Sequence, residues 1–204
     1  QEVPRNVRRV VIDRSVSIIP ERAFENRGEL VSVETHEGIE LIETGAFSSC
    51  SSLRTIKLLG VREVEFEAFD GCFALTDVEF ADKLETIQVC AFFYCNSLQK
   101  IKMPSVRTIE FGAFNDCEQL TDAEFGGNLE RIGAPCFDRC PNLRRIAIPL
   151  KNDIFPFNPI QHRRTQFEHC PNLTTVDLVG GIHKTISSLL MERWRTEIIA
   201  EINR

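Results

Sequence analysis

Six of the eight cysteines, Cys50, Cys72, Cys95, Cys117, Cys140 and Cys170, fall 22, 23, 22, 23 and 30 residues apart. Thiols at a regular interval could bridge, bind metal or act as nucleophiles. A disulfide needs Cα atoms roughly 5.5–6 Å apart and a Cβ–S–S–Cβ dihedral near ~90°. Thiols in one column of a stacked structure meet the distance but point the same way, so they are expected to stay reduced and to pack as small apolar groups. Zinc sites use short ligand pairs such as C-x-x-C. The chain offers Cys90-x4-Cys95 and Cys136-x3-Cys140, each with one member already in the column. His162, with His169 beside Cys170, is the other constellation that could hold metal or activate a thiol, and it reads as packing. There is no G-x-S-x-G and no glycine-rich phosphate loop. No catalytic, metal or cofactor-binding residue is therefore assigned, and the chain reads as a non-enzyme without cofactors.

The elements that place these thiols are repeats. Each column cysteine lies three residues after a phenylalanine, and Phe24, Phe47, Phe69, Phe92, Phe114, Phe137 and Phe167 recur at intervals of 23, 22, 23, 22, 23 and 30. The residue six beyond each phenylalanine is leucine: Leu30, Leu53, Leu75, Leu98, Leu120, Leu143 and Leu173. Then come apolar positions nine and eleven beyond, such as Ile101 and Met103, which spells L-x-x-I-x-L. The alternation predicts a short strand pairing with its equivalents on adjacent coils. Val7, Val10 and Ile12 fit the same template, raising the strand count to eight. A second apolar pair before each phenylalanine, for example Leu84 and Ile87, predicts another extended segment. The stretch 115–119 between phenylalanine and leucine reads as a helical turn or loop.

The unit I-x-x-x-A-F-x-x-C-x-x-L-x-x-I-x-L resembles the BspA-type leucine-rich repeat over about residues 7–178. The tail from Gly180 to Lys184 and the Trp194 segment resemble the ends of diatom members. The resemblance implies an α/β solenoid, a leucine-rich-repeat stack of parallel β-strands in about eight coils of 22–23 residues, within a single domain, 1–204. It implies protein-binding or adhesion roles and carries no catalytic motif.

Charge follows its own pattern. Outward strand residues run Arg8 and Arg9, Glu34, Arg54 and Lys57, Asp77 and Glu79, Lys100 and Lys102, Asp122 and Glu124, Arg144 and Arg145, Asp177, reversing sign at each step. The second segment does likewise through Glu40, Arg62, Glu85, Arg107 and Glu130. A parallel stack superposes equivalent side chains about 4.8 Å apart, so alternation replaces repulsion with attraction and makes the true period two coils. A net charge of −6 and a striped face oppose nucleic acid and anionic lipid as partners. No apolar run is long enough to span a bilayer, so no membrane insertion is expected.

The 30-residue interval holds an insertion, 149–164, with three prolines. Phe155, Phe157, His162, Arg163 and Arg164 are the candidate partner-binding residues, aromatic and arginine anchors on a stiff loop. The competing expectation folds Phe155 and Phe157 back over the solenoid flank. Residues 187–203 predict a helix with Leu190, Trp194, Ile198 and Ile202 on one face, capping the last coil. Only six residues precede the first strand, which predicts missing upstream repeats or a self-associating N-terminal edge. A chain beginning at Gln1 rather than Met reads as a fragment or a processed product, leaving a removed targeting segment open. Unpaired thiols favour an intracellular site, with a surface or secreted one as the alternative.

The expected function is a non-catalytic protein-interaction or scaffold module for a protein partner of unknown identity; the alternative is a BspA-type adhesin binding carbohydrate or a receptor. Reversing Asp77 and Glu79 to Lys is expected to lower the melting temperature, each lost pair removing about 0.2–1 kcal/mol of stability. An unchanged thermal unfolding curve at low salt would remove the cross-strand account.

Overall fold

The computed structural model describes residues 3–149, 154–155, 167 and 169–179. The chain winds as a parallel β-solenoid of about six coils, each with a longer strand, a short strand and a corner built around the anchor phenylalanine. The pairs are β1 (Arg9–Val11) and β2 (Ile18–Ile19), β3 (Ser32–Glu34) and β4 (Leu41–Ile42), β5 (Thr55–Leu58) and β6 (Glu63–Val64). They continue as β7 (Asp77–Phe80) and β8 (Thr86–Ile87), β9 (Lys100–Met103) and β10 (Thr108–Ile109), β11 (Asp122–Phe125) and β12 (Arg131–Ile132). Two more long strands, β13 (Arg145–Pro149) and β14 (Thr175–Val179), extend the first column. The long strands thus number eight, as the repeats suggest, but among the described residues only six coils are closed by a short strand. The expected capping helix, 187–203, and the diatom-like tail lie outside the described residues.

Phenylalanine columns make the axis. Successive anchor rings from Phe24 to Phe137 stack with centroids 5.0, 5.1, 5.0, 5.4 and 5.5 Å apart and planes within 10°. The leucine column and the cysteine column lie beside it, almost all fully buried. Each column thiol donates a hydrogen bond to the carbonyl of the preceding coil's phenylalanine: Cys50 to Phe24 at 3.0 Å, Cys95 to Phe69 at 3.3 Å, Cys140 to Phe114 at 3.1 Å. All eight cysteines are free. Cysteine here is a small residue that fills the corner and also gives its neighbour's carbonyl a donor, which alanine cannot do.

The corners are not helical, and the described residues contain no helix at all, so the α part of the expected α/β class is absent from them. The reason is backbone handedness. Residues two before and two after the anchor sit at positive φ: Arg22 and Asn26, Gly45 and Ser49, Glu67 and Gly71, Cys90 and Tyr94, Gly112 and Asp116, all between 53° and 68°. A right-handed helix cannot propagate through such residues. The alternation instead turns every second N–H toward the next coil. The N–H groups of Glu67, Phe69 and Gly71 donate to the carbonyls of Val89, Ala91 and Phe93 at 3.2, 2.8 and 2.9 Å. The corner is therefore a third hydrogen-bonded ladder.

Short strands form one continuous six-stranded sheet, β2 to β12, whereas the long strands form two four-stranded sheets that meet between β7 and β9. Where equivalent residues are 22 apart, as Thr55 to Asp77 and Lys100 to Asp122, the strands pair over four residues. Between Asp77 and Lys100, 23 residues apart, β7 and β9 form no ladder, although Arg9 pairs with Ser32 and Asp122 with Arg145 across intervals of the same length. The ring stack crosses this seam undisturbed, with Phe69 and Phe92 inclined by only 2°. It survives the insertion too: Phe137 and Phe167 stack at 5.6 Å, and β13 pairs with β14 over five residues. Buried Ile154 accepts the Ile132 N–H at 2.7 Å, so the inserted chain touches the short-strand side before returning.

Loops between long and short strands pack closely on the coil before. A Cβ at Gly60 would collide with the backbone carbonyl of Glu37, and one at Gly126 with that of Pro104, whereas Gly127 has open space. Gly60→Ala is expected to cost about 1–3 kcal/mol through forced backbone displacement, and Gly127→Ala to be close to neutral. Chemical denaturation followed by circular dichroism checks both; equal midpoints for the two variants would contradict the close approach.

Candidate functional site

The outward face of the long strands is occupied by its own ion pairs. Arg9 pairs with Glu34, Lys57 with Glu79 at 2.7 Å, Lys102 with Glu124 at 3.1 Å, and Arg145 with Asp177 at 2.6 Å. On the short-strand side Arg62 pairs with Glu85 at 3.0 Å, Arg107 with Glu130 at 2.9 Å, and Arg131 with Glu110. The sign alternation thus produces cross-coil contacts. Across the β7–β9 seam it does not: Lys100 and Lys102 both turn to β11, toward Asp122 and Glu124. Paired, exposed charges of this kind keep register and leave little net field for a ligand.

The corner edge differs. In the third coil its outward residues run Phe66, Glu67, Asp70 and Phe73, while Ala68, Phe69 and Cys72 point into the core. In the fourth coil they are Val89, Cys90, Phe93 and Tyr94, and in the fifth Phe111 begins the same face. Phe73 is 51% exposed, Phe66 43% and Tyr94 39%. The Phe93 and Tyr94 rings lie 4.1 Å apart, centroid to centroid. The corner ladder joins the three coils, since Glu67 donates to Val89 and Cys90 to Phe111 at 3.0 Å. Exposed aromatics gathered on adjacent coils mark a contact surface more strongly than the same residues scattered singly.

Two carboxylates lie between these aromatics. Among the described residues no ion pair reaches Glu67 or Asp70. Burial, and then the like charge of Glu67, raise the Asp70 carboxyl to about 6 against the opposing Gly71 N–H. Burial first, then Glu67 and Asp70, push the Cys90 thiol to about 11, so all three groups share one poorly solvated spot. Burial likewise holds the column thiols in the neutral form, Cys50 at about 12, which removes the thiolate that nucleophilic chemistry needs.

Of the insertion residues read from sequence, Phe155 is described. It packs edge-on against Phe167 at 6.0 Å, half-buried on the core, which matches the fold-back expectation for this residue. Phe157, His162, Arg163 and Arg164 lie outside the described residues. His169 Nδ1 lies 2.7 Å from Asp138 Oδ1, and the Cys170 thiol donates to the Phe137 carbonyl at 2.9 Å. Among the described residues no group of three or more His, Cys, Asp or Glu is arranged to hold a metal, and no helix is long and apolar enough to cross a membrane. Phe66, Phe73 and Phe93 stand outside the repeating columns that the sequence pattern reveals. Their signal is departure from polar residues at the same corner positions one coil earlier, Thr44, Ser51 and Asp70 respectively.

The chain matches the BspA type Leucine rich repeat region in six copies, over residues 4–60 and 59–174. No curated protein matches it. Among solved structures, a leucine-rich repeat protein of T. pallidum is 28% identical with a TM-score of 0.56, covering 72% of this chain and 67% of its own. A leucine rich cell surface protein from Faecalibacterium prausnitzii is 21% identical with a TM-score of 0.55, covering 86% and 61%. A leucine-rich repeat protein from Bacteroides ovatus is 18% identical with a TM-score of 0.47, covering 86% and 56%. The chain thus spans about two thirds or less of these proteins' lengths.

A carboxyl raised from 3.8 to about 6 on folding contributes stability below about pH 4 that is lost as pH rises through about 6, because the folded state then holds a proton the unfolded chain has released. Asp70→Asn is therefore expected to raise the melting temperature at neutral pH and to change it little near pH 3.5. Thermal unfolding at the two pH values decides it, and a lowered melting temperature at neutral pH would be the contrary result.

Proposed function

The chain belongs to the BspA-type leucine-rich repeat family, and from that premise we propose that it acts as a non-catalytic protein-interaction or scaffold module. The repeat family and its solenoid fold are generally non-enzymatic. One observation carries the reading. The two strand faces each spend their charges on internal ion pairs, while the corner edge of the third to fifth coils leaves Phe66, Phe73 and Tyr94 exposed around Glu67 and Asp70, which form no ion pair among the described residues. A rigid stack with one unsatisfied edge binds by preorganisation, since little of that edge must be ordered on contact. The insertion 149–164 contributes a second contact through Phe157, His162, Arg163 and Arg164, with Phe155 anchoring its base. β1 and β2, each at the edge of its sheet with Val11 and Ile18 exposed, accept a further coil or a second chain.

The exposed aromatics also favour adhesion as a second use of the module. Titration of thiols in unfolded native material separates the two: eight free thiols accord with a reducing compartment, bridged ones with secretion. Affinity capture from native extract tests the main reading, comparing the intact chain, a variant shortened over 156–164, and a Phe66→Ser/Phe73→Ser variant. Loss of the same partner from at least one variant is expected. Equal capture by all three would reject both surfaces, and capture of nothing by the intact chain would reject the module.

A further inference from the structure

Charge distribution says what the corner edge would take. The corner segments of the second to fifth coils, 43–51, 65–73, 88–96 and 110–118, together contain seven Asp or Glu and no Lys, Arg or His. They alone account for the chain's net charge of −6, and the rest of the molecule is nearly neutral. Several of these carboxylates are already used. Glu65 accepts the N–H and hydroxyl of Thr44 at 2.9 and 3.0 Å, Glu110 pairs with Arg131, and Asp116 lies 3.7 Å from Arg139. Among the described residues Glu67 and Asp70 have no cation, and they are the two that lie between exposed rings.

We propose that this edge docks a peptide segment of a partner protein bearing Lys or Arg, with cations on Glu67 and Asp70 and its apolar stems against Phe66, Phe73 and the Phe93–Tyr94 pair. The proposal rests on the interaction-module reading and adds its chemistry. Aromatic faces attract guanidinium and ammonium groups, carboxylates complete the charge, and long basic side chains lay their methylenes on apolar surface. Nucleic acid and anionic lipid are disfavoured by the same negative sign.

Tyr94 sits at φ +56°, at a corner position that is left-handed in the other coils too, where Asn26, Ser49, Gly71, Asp116, Arg139 and His169 stand. Tyr94 places an exposed ring on this edge. Gly71 fills the same position one coil earlier at φ +67°, so glycine is compatible with the fold there.

Isothermal titration of the full chain with a dodecapeptide alternating Arg and Leu, against its Glu–Leu counterpart, tests the proposal. The basic peptide is expected to bind and the acidic one not, with affinity falling as salt rises. Glu67→Gln/Asp70→Asn, and separately Tyr94→Gly, are expected to weaken binding about tenfold each. Tyr94→Gly should do so without lowering the melting temperature, which excludes unfolding as the cause. Glu79→Gln, on the strand face, should leave affinity unchanged. Binding should also weaken from about pH 7.5 to about pH 5 as Asp70 takes up a proton; the titratable groups around it are Glu67 and Cys72 on its own coil and Cys90 and Cys95 on the next, and the Ser49 N–H donates to its backbone carbonyl. Equal binding of the two peptides, or an affinity indifferent to all corner variants, would overturn the proposal. If the partner captured from extract is held equally by the Tyr94→Gly chain, the module stands and this edge is not its site.

Discussion

Ring stacking along one axis is the constraint to which everything else in this molecule conforms. Backbone hydrogen bonds between parallel strands set a rise of about 4.7–4.9 Å per coil, and parallel phenylalanine rings are comfortable at slightly more. The observed centroid spacings of 5.0 to 5.6 Å reconcile the two. Because each ring lies in the same place on its coil, every other position must repeat as well, and leucines, thiols and corner carbonyls fall into columns. The stack holds where the backbone does not: it passes the seam between β7 and β9 and closes over the long insertion. Aromatic pairs contribute about 0.5–1.5 kcal/mol beyond their burial, and seven rings in series make slipping one coil by a residue costly to all its neighbours.

Translation along an axis rewards some residues for superposition and penalises others. A thiol above a thiol places each sulfur on the carbonyl of the coil before, so repetition suits cysteine. A lysine above a lysine is repulsive, so repetition does not suit charge. The chain resolves this by alternating acidic and basic coils, and the alternation extends to loop length. Basic β5 and β9 are followed by four-residue loops, 59–62 and 104–107, and acidic β7 and β11 by five-residue loops, 81–85 and 126–130. The working unit is therefore a pair of coils. Its charges are consumed within the strand faces, and the net negative charge emerges at the corners of the second to fifth coils, which contain no basic residue.

That displacement of charge shapes the functional reading. The strand faces are rich in ion pairs, and burial keeps the thiols of the corner column protonated. The corner edge combines features the strand faces lack: exposed rings and, among the described residues, carboxylates without cations. The cationic, partly apolar partner proposed above would satisfy both.

The periodic part of this protein was legible from its residues alone. Phe24 to Phe167, Leu30 to Leu173 and Cys50 to Cys170 announce their columns by spacing, and the signs from Arg9 to Asp177 announce their neighbours, because a structure built by translation writes each contact into the sequence at a fixed interval. What does not repeat had to come from the folded chain. The left-handed residues of the corners, Arg22, Glu67 and Tyr94 among them, share no residue type, so nothing in their identity signals a ladder in place of a helical turn. The break between β7 and β9 has no counterpart at the equal intervals from Arg9 to Ser32 and from Asp122 to Arg145, so interval length does not announce it. The edge formed by Phe66, Asp70 and Tyr94 depends on which side of a non-helical corner each residue faces, and only the path of the backbone through space decides that.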